Sequence, residues 1–397
     1  MAIFDHAWIW TRPGVVWATM GLFLLLFRTM LWLRYRPAAA ATFADAPPLT
    51  VIIPAYNEGP MVARSIESVA AADYPRSRLQ IVVVDDGSTD DTWEYVSRAA
   101  SRDPGLITTI RFAGNRGKRA ALEAGFLHAR GEIVVTIDSD SVIDRAALLA
   151  MGGPFRDPRV GAVAGRVAVY NAGAGMLPRM LDVRFALSFD LLRAVQSVYG
   201  TVYCCPGALA AYRLAVVREV LEEWTSQTFL GAPCTYGEDR ALTNSILNRG
   251  FDTVYQGSAI VRTVVPSTYA KLVKMYLRWE RSYVREELRL ARIVWKRPPA
   301  ARMFALLDCV VTNLRYPVGY LSWCHTLSRM GQQPHALVGV LAALGVISVL
   351  GILVYVRSSR SSDVLYGLLY SYFSALTLFW IFPYAALTVR SRSWMTR

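Results

Sequence analysis

Val84-Asp85-Asp86-Gly87-Ser88 and Ile137-Asp138-Ser139-Asp140 each follow a short apolar run of strand-forming residues. That pattern sets two carboxylate clusters at the ends of neighbouring strands in one sheet. Upstream, Leu49 to Ile53 reads as a buried strand closed by Pro54-Ala55-Tyr56-Asn57-Glu58. The spacing of apolar residues predicts a helix over Met61 to Ala72 and a second strand over Leu79 to Val84, which makes the right-handed βαβ unit of a doubly wound α/β sheet. Ligands bind such sheets beyond the carboxyl ends of the strands. Asn57, Glu58, Asp85 and Asp86 fall there, as do Asp138 and Asp140 after a strand over Ile133 to Ile137. A nucleoside diphosphate brings about two negative charges, so protein carboxylates at such an edge approach it only through a hard cation such as Mg²⁺ or Mn²⁺. The aspartates therefore imply a metal.

The 397 residues are 54% hydrophobic and 12% aromatic, too apolar for a plain soluble enzyme and long enough for one sizeable domain plus membrane helices. Apolar runs at Val15 to Leu33, Leu337 to Tyr355 and Val364 to Leu387 each have the length to cross a bilayer. Arg28, Arg34 and Arg36 end the first run against a single Arg12 before it, a bias that puts the central domain in the cytoplasm. The net charge of +13 is scattered and flanks apolar segments. It fits contacts to anionic lipid headgroups, and no patch with interleaved aromatics suggests nucleic acid. Cys204, Cys205, Cys234, Cys309 and Cys324 show no Cys-x-x-Cys spacing, which argues against zinc and, in a reducing compartment, against disulfides.

Beyond the second aspartate cluster the pattern predicts a strand over Val160 to Val167 and a long amphipathic helix over about Leu177 to Val198. A tight turn through Cys204-Cys205-Pro206-Gly207 follows, and Tyr236-Gly237-Glu238-Asp239-Arg240 opens a helix reaching about Asn248. An acidic pair in a first helical turn also has a plain structural use, since it complements the helix dipole. Tyr269 to Ile293 is basic and aromatic and reads as a helix lying in a membrane interface. Phe304 to Leu327 is apolar except for Asp308, Asn313 and Arg315, polar residues of the kind that line a path.

Taken in order, Ile53-Pro54-Ala55-Tyr56-Asn57-Glu58, Asp85-Asp86-Gly87-Ser88, Gly117-Lys118-Arg119, Asp138-Ser139-Asp140, Cys204-Cys205-Pro206-Gly207, Gly237-Glu238-Asp239-Arg240 and Arg278-Trp279 resemble the processive membrane glycosyltransferases of family 2. Hyaluronan synthases and rhizobial chitooligosaccharide synthases are the most similar. The resemblance covers roughly Leu49 to Glu287 and implies a GT-A type sheet domain fused to interfacial and transmembrane helices. It divides the chain into an N-terminal transmembrane helix (1–36), a linker (37–48), a cytoplasmic catalytic domain (49–268), interfacial helices carrying Arg-Trp (269–300) and a C-terminal transmembrane region of two to three helices (301–397).

The resemblance implies roles residue by residue. Asp85 meets the uridine, with Asn57, Glu58, Lys118 and Arg119 helping to hold the donor. Asp138 and Asp140 flank Mg²⁺ or Mn²⁺, and Asp239 is the base, with Glu238 beside it on the substrate. Arg278 meets the diphosphate, Trp279 stacks on the acceptor sugar, and Cys204 and Gly207 shape the acceptor site. The family's Gln-x-x-Arg-Trp begins here with Met275, which removes an amide. The implied enzyme is multi-pass in the inner membrane, with a UDP-sugar donor and a growing glycan as its substrates and membrane lipids around it. Transfer of a single sugar to a polyprenyl phosphate is the alternative reading. The donor sugar and the oligomeric state are not specified by the residues.

Overall fold

The computed structural model describes residues 13–332, 335–359 and 363–391, so Arg12, Arg392 and Arg397 lie outside the described residues. After helix α1 (Pro13–Trp32) the chain alternates strand and helix: β1 (Leu49–Ala55), α2 (Met61–Ala70), β2 (Leu79–Asp85), α3 (Thr92–Arg102), β3 (Ile107–Arg111), α4 (Lys118–His128) and β4 (Ile133–Thr136). Alternation of this kind winds a parallel sheet. β1 pairs parallel with β2 and β4, and β2 with β3. Strands covered on both faces read as unbroken apolar runs rather than alternating ones. Val51, Ile52, Ile53 and Ile81 to Val84 are indeed wholly buried.

The second half adds β5 (Ser141–Ile143), α5 (Ala147–Gly152), β6 (Val160–Val169), α6 (Met176–Ala186), α7 (Ala194–Val198), β7 (Ala210–Arg213), α8 (Leu214–Thr225), the short β8 (Thr228–Phe229) and β9 (Ala232–Pro233), α9 (Glu238–Asn248) and β10 (Asp252–Thr263). The large sheet runs β3-β2-β1-β4-β7-β6-β10-β5. β7 is antiparallel to β4 and β6, and β5 to β10, so the sheet is mixed. The helix expected over Leu177 to Val198 is one run broken by a π turn at Leu187–Arg193.

Helix α10 (Tyr269–Ile293) starts at Thr268, whose hydroxyl accepts the Lys271 N–H, an N-cap that satisfies one of the first-turn donors. Then come α11 (Pro299–Arg329), α12 (His335–Ser359), α13 (Val364–Phe373) and α14 (Ile381–Leu387). In an apolar helix pair a charge needs a partner, and α1 supplies it for α11. Arg28 Nε donates to Asp308 Oδ1 at 2.8 Å and its Nη2 to Thr312 at 2.6 Å, while Arg315 sits 4.9 Å from the Trp17 ring centroid. Asp308 and Arg315 therefore clamp α11 to α1. Of the three polar residues in this run, Asn313 is the one that turns toward α10, bonding Glu287 and Tyr283.

Among the described residues α1 is the helix long and apolar enough to cross a membrane by length and composition. Residues 364–387 reach that standard only as a pair bent by 45°, so this stretch is not the straight span its composition suggests. The break falls at Phe379 and Trp380, just after a π turn at Ser374–Leu378. Both ends lie against the sheet domain: Arg179 donates to the Tyr366 hydroxyl at 3.0 Å, and the Tyr236 hydroxyl donates to the Ser391 carbonyl at 2.7 Å. Leu22, Phe23 and Leu26 of α1 and Met303, Val310 and Leu314 of α11 face outward, exposed.

Candidate active site

The carboxyl ends of β1, β2 and β4 meet on one edge of the sheet, where Ala55 pairs with Asp85 and Ile52 with Thr136; β1 lies between β2 and β4, so the two carboxylate clusters do not end neighbouring strands as the sequence pattern suggested but flank a shared one. Asp85 is wholly buried; its Oδ1 accepts the Ser88 N–H at 3.2 Å, and Arg111 lies 3.3 Å from Oδ2. Asn57 adopts a left-handed φ of 52° and its Oδ1 accepts the Thr89 N–H at 2.9 Å, which ties the β1 turn to the β2 turn. Glu58 and Gly59 are pinned beside it through their N–H groups by the Thr92 hydroxyl. Asp86 accepts the N–H groups of Arg116 and Gly117 at 2.7 and 2.9 Å. Those two bonds fix the loop that aims Lys118.

Lys118 is the centre of the charge arrangement. Its ammonium contacts Asp138 and lies 3.3 Å from Glu238 Oε1. Burial alone would lower the lysine, but the two carboxylates more than offset it and keep the ammonium protonated. Lys118, Gly207, Glu238 and Asp239 line one pocket over the sheet. A Cβ on Gly207 would sit 2.7 Å from Lys118 Nζ and 3.2 Å from Asp138 Oδ1, so the absence of a side chain there keeps the pocket open. Asp140 is 2% exposed, and its Oδ1 accepts from the Ser141 and Thr263 hydroxyls, both at 3.1 Å.

Glu238 and Asp239 begin α9 behind Gly237, whose φ of 78° only glycine adopts readily. A Cβ on Gly237 would also meet Ser282 Oγ at 1.9 Å. The two acids are driven apart. Burial raises Glu238, but Lys118 outweighs it and holds this carboxylate below the usual range; burial and the adjacent Glu238 charge push Asp239 up. Cys204 Sγ lies 3.5 Å from Asp239 Oδ2. Burial and the Asp239 charge raise Cys204 to about 12, so it stays a thiol and donates its weak S–H.

Helix α10, whose Ser282 lies against Gly237, also carries Arg278 and Trp279. Trp279 is 45% exposed, packed edge-on to Tyr276 with ring centroids 5.5 Å apart. Met275, three residues before Arg278, is buried in the apolar core, where a thioether fits and an amide would need partners.

Residues 50–221 match the family model described as Glycosyl transferase family 2. The chain is 33% identical over 360 residues to an N-acetylglucosaminyltransferase of Azorhizobium caulinodans, covering 89% of each chain. It is 32% identical over 392 residues to one from Rhizobium meliloti, covering 95% of this chain and 89% of the relative. The chain belongs to glycosyl transferase family 2. Its fold is shared with a mannosyltransferase of Pyrobaculum calidifontis solved with GDP-Man and Mn²⁺, at a TM-score of 0.66 and 23% identity over 92% of this chain and 98% of that one. This glycosyltransferase therefore has the GT-A-like architecture that the family resemblance implied.

One expected donor residue of this glycosyltransferase is placed elsewhere. Arg119 is 8% exposed and turned under the acidic turn, donating to the Trp224 carbonyl at 2.6 Å with its guanidinium 5.1 Å from the Trp224 ring centroid. As the second residue of α4 it points about 100° away from Lys118, which is why it packs and does not line the pocket. The sequence reading also missed the group that holds the two halves of the site together. Glu286, fully buried, accepts from Arg285 Nε at 2.8 Å, Gln227 Nε2 at 2.7 Å and Asn244 Nδ2 at 3.0 Å. Arg285 in turn donates to the Tyr236 carbonyl at 2.6 Å. An Arg-Glu pair on the buried side of an amphipathic helix was the available signal.

The arrangement suits acid–base chemistry. Two neighbouring carboxylates held at different basicities can divide such work, and Asp239 is the more basic of the two. Asp138 and Asp140 present hard oxygen donors at a strand end that already attracts a cation, the Lys118 ammonium. Those donors fit a divalent ion. Among the described residues no three His, Cys, Asp or Glu side chains gather as a metal site.

Proposed function

We propose that this glycosyltransferase is an inverting, membrane-embedded β-N-acetylglucosaminyltransferase that elongates an N-acetylglucosamine-containing glycan from a UDP-sugar at the cytoplasmic face of the inner membrane. The observation that carries the reading is Asp239, raised in basicity and lining one pocket with Lys118, Gly207 and Glu238. The relatives' names supply the sugar; the site supplies the chemistry.

In this reading the donor lies across the strand ends with uridine at Asp85 and Glu58 and its diphosphate near Lys118 and Arg278. The acceptor ring stacks on Trp279, beside the open turn at Cys204 and Gly207. Asp239 takes the proton of the acceptor hydroxyl as its oxygen attacks the anomeric carbon. The bond from that carbon to the diphosphate breaks on the opposite face, so configuration inverts and UDP leaves. Proton abstraction of this kind supplies typically about 10²- to 10⁴-fold. A Mg²⁺ or Mn²⁺ held by Asp138 and Asp140 would neutralise the charge that develops on the departing diphosphate. Lys118 and Arg278 add fixed positive charge at the same place, usually the larger contribution.

The apolar outer faces of α1 and α11 support membrane embedding, and the bent 364–387 segment, which starts and finishes beside the sheet domain, supports a cytoplasmic C-terminal end. The test is UDP release by detergent-purified protein given UDP-N-acetylglucosamine and UDP-glucuronate, separately and together, with and without EDTA and added Mn²⁺. Metal-dependent release with the first alone, yielding an oligomer, is the expected result. Release from neither donor overturns the reading.

A further inference from the structure

The turn through residues 204–207 touches both ends of the site. At its start Cys204 Sγ lies 3.5 Å from Asp239 Oδ2. At its end a Cβ on Gly207 would stand 2.7 Å from Lys118 Nζ and 3.2 Å from Asp138 Oδ1. One hydroxyl fastens this turn to α9. Thr243, wholly buried, donates to the Asp239 carbonyl at 2.8 Å and accepts the Cys205 N–H at 3.0 Å. A threonine inside a helix commonly bonds the carbonyl one turn back; here its oxygen also takes a donor from outside the helix. From β7 the Tyr212 hydroxyl donates to the Cys205 carbonyl at 3.3 Å. Both backbone polar groups of Cys205 are therefore committed, which sets the height of the turn over α9 and seats the neighbouring Cys204 thiol against Asp239.

The Asp239 carboxylate is held through both oxygens. Oδ1 accepts the Arg240 N–H at 2.7 Å, and Oδ2 meets the thiol. An aspartate's terminal torsion is otherwise broad, so two bonds on opposite oxygens fix the plane of the group and leave lone pairs for an acceptor hydroxyl. The thiol is the donor of its pair, because burial and the Asp239 charge hold it up at about 12 against Arg240 and Arg193. A hydrogen bond to the charged form of an acid favours that form, so the thiol opposes the burial and the Glu238 charge that raise Asp239. Lys118 and Arg240 oppose them too. Burial keeps the other titratable groups near Asp239, Tyr212 of β7 and Cys205 of the turn, neutral. On α10, which packs along α9, Arg285 is bound by Glu286 and Glu287 by Arg240.

We propose that Cys204 is a positioning residue for transfer: its thiol, seated by Thr243, donates to Asp239 Oδ2 and holds that carboxylate in the orientation and charge state in which it takes the acceptor proton. The inference rests on the reading of Asp239 as the base and adds the group that aims it.

The experiment follows transfer of labelled N-acetylglucosamine from its UDP-sugar to an N-acetylglucosamine oligosaccharide by the full-length protein in detergent. The acid limb of kcat/KM, which reports the free enzyme's base, is recorded for wild type, Cys204→Ser and Cys204→Ala across about pH 5 to 9. Ala removes the donor and should move the limb up by roughly 0.5–1 in pH while cutting plateau kcat about 10-fold. Ser keeps a donor, a stronger one, and should move the limb down while recovering most of the turnover that Ala loses. UDP affinity within a few-fold of wild type in both variants shows that the fold is intact. A limb that stays in place in both variants, or moves the same way in both, overturns the proposal. So does an acceptor KM that rises with kcat and the limb unchanged, since Cys204 is then an acceptor contact alone. Wild-type transfer by Asp239→Asn refutes the base reading and the proposal with it; in the other failures that variant is inactive, which keeps the two apart.

Discussion

Replacing Glu286 with Gln tests how the two halves of the site are held in register. Glu286 is wholly buried and ion-paired with Arg285, itself 4% exposed. Gln keeps the shape and one accepting oxygen but removes the charge. Three charge-assisted hydrogen bonds at roughly 1.5–3 kcal/mol each set an upper bound; they are not additive, and Gln retains part of them. Stranding one member of a buried pair costs about 3–5 kcal/mol, so about 3 kcal/mol is the expected loss. For a domain of this size that lowers Tm by roughly 6–12 °C. Glu286 also joins α10, which carries Arg278 and Trp279, to Asn244 of α9, the helix that begins with Asp239. A slip of about 1 Å between these helices costs on the order of 10²-fold in turnover. Thermal unfolding in detergent and UDP release measure the two effects. The paired variant Arg285→Met with Glu286→Leu leaves no orphan charge and should be more stable than Glu286→Gln alone. Wild-type Tm and turnover in Glu286→Gln, or a double variant that loses the full sum of both single losses, would refute the reasoning.

Asp239→Asn should lower turnover by about 10²- to 10⁴-fold while UDP affinity, read by calorimetry, stays within a few-fold; loss of UDP binding would instead place Asp239 on the donor. Because burial and Glu238 raise Asp239, activity should persist above its titration and fall away as pH drops through it, with the acid limb of kcat/KM lying above the ordinary carboxylate range. Lys118 pulls Asp239 down, so Lys118→Ala should move that limb to higher pH, and an unmoved limb would count against the pairing. Gly237→Ala combines a left-handed φ with a clash on Ser282 and should reduce turnover at least 10-fold, with a smaller change in UDP affinity.

Much of the first half was legible because its signals are local. Unbroken apolar runs ending in Asp can only be covered strands with polar ends, and β1, β2 and β4 sit where those runs fall. The acidic pair at Glu238 and Asp239 was equally visible, since a helix start and a glycine before it are written in adjacent residues. What adjacency does not show is which way a side chain turns once helices pack. Lys118 and Arg119 are neighbours, yet one reaches Asp138 and the other lies under Trp224. Asp308, Asn313 and Arg315 share one apolar run, yet two clamp α1 and the third joins α10.

The sequence by itself determined the strand order of the first βαβ unit, the carboxylates at its edge and the amphipathic helix bearing Arg278 and Trp279, because each follows from periodicity and turn chemistry within a few residues. Only the tertiary structure decided that Asp239 is raised and Glu238 lowered, and that the 364–387 run bends back to the sheet domain. The shifts depend on burial and on charges brought together from Lys118, Arg119 and Glu238, residues far apart in the chain whose distances no local pattern records.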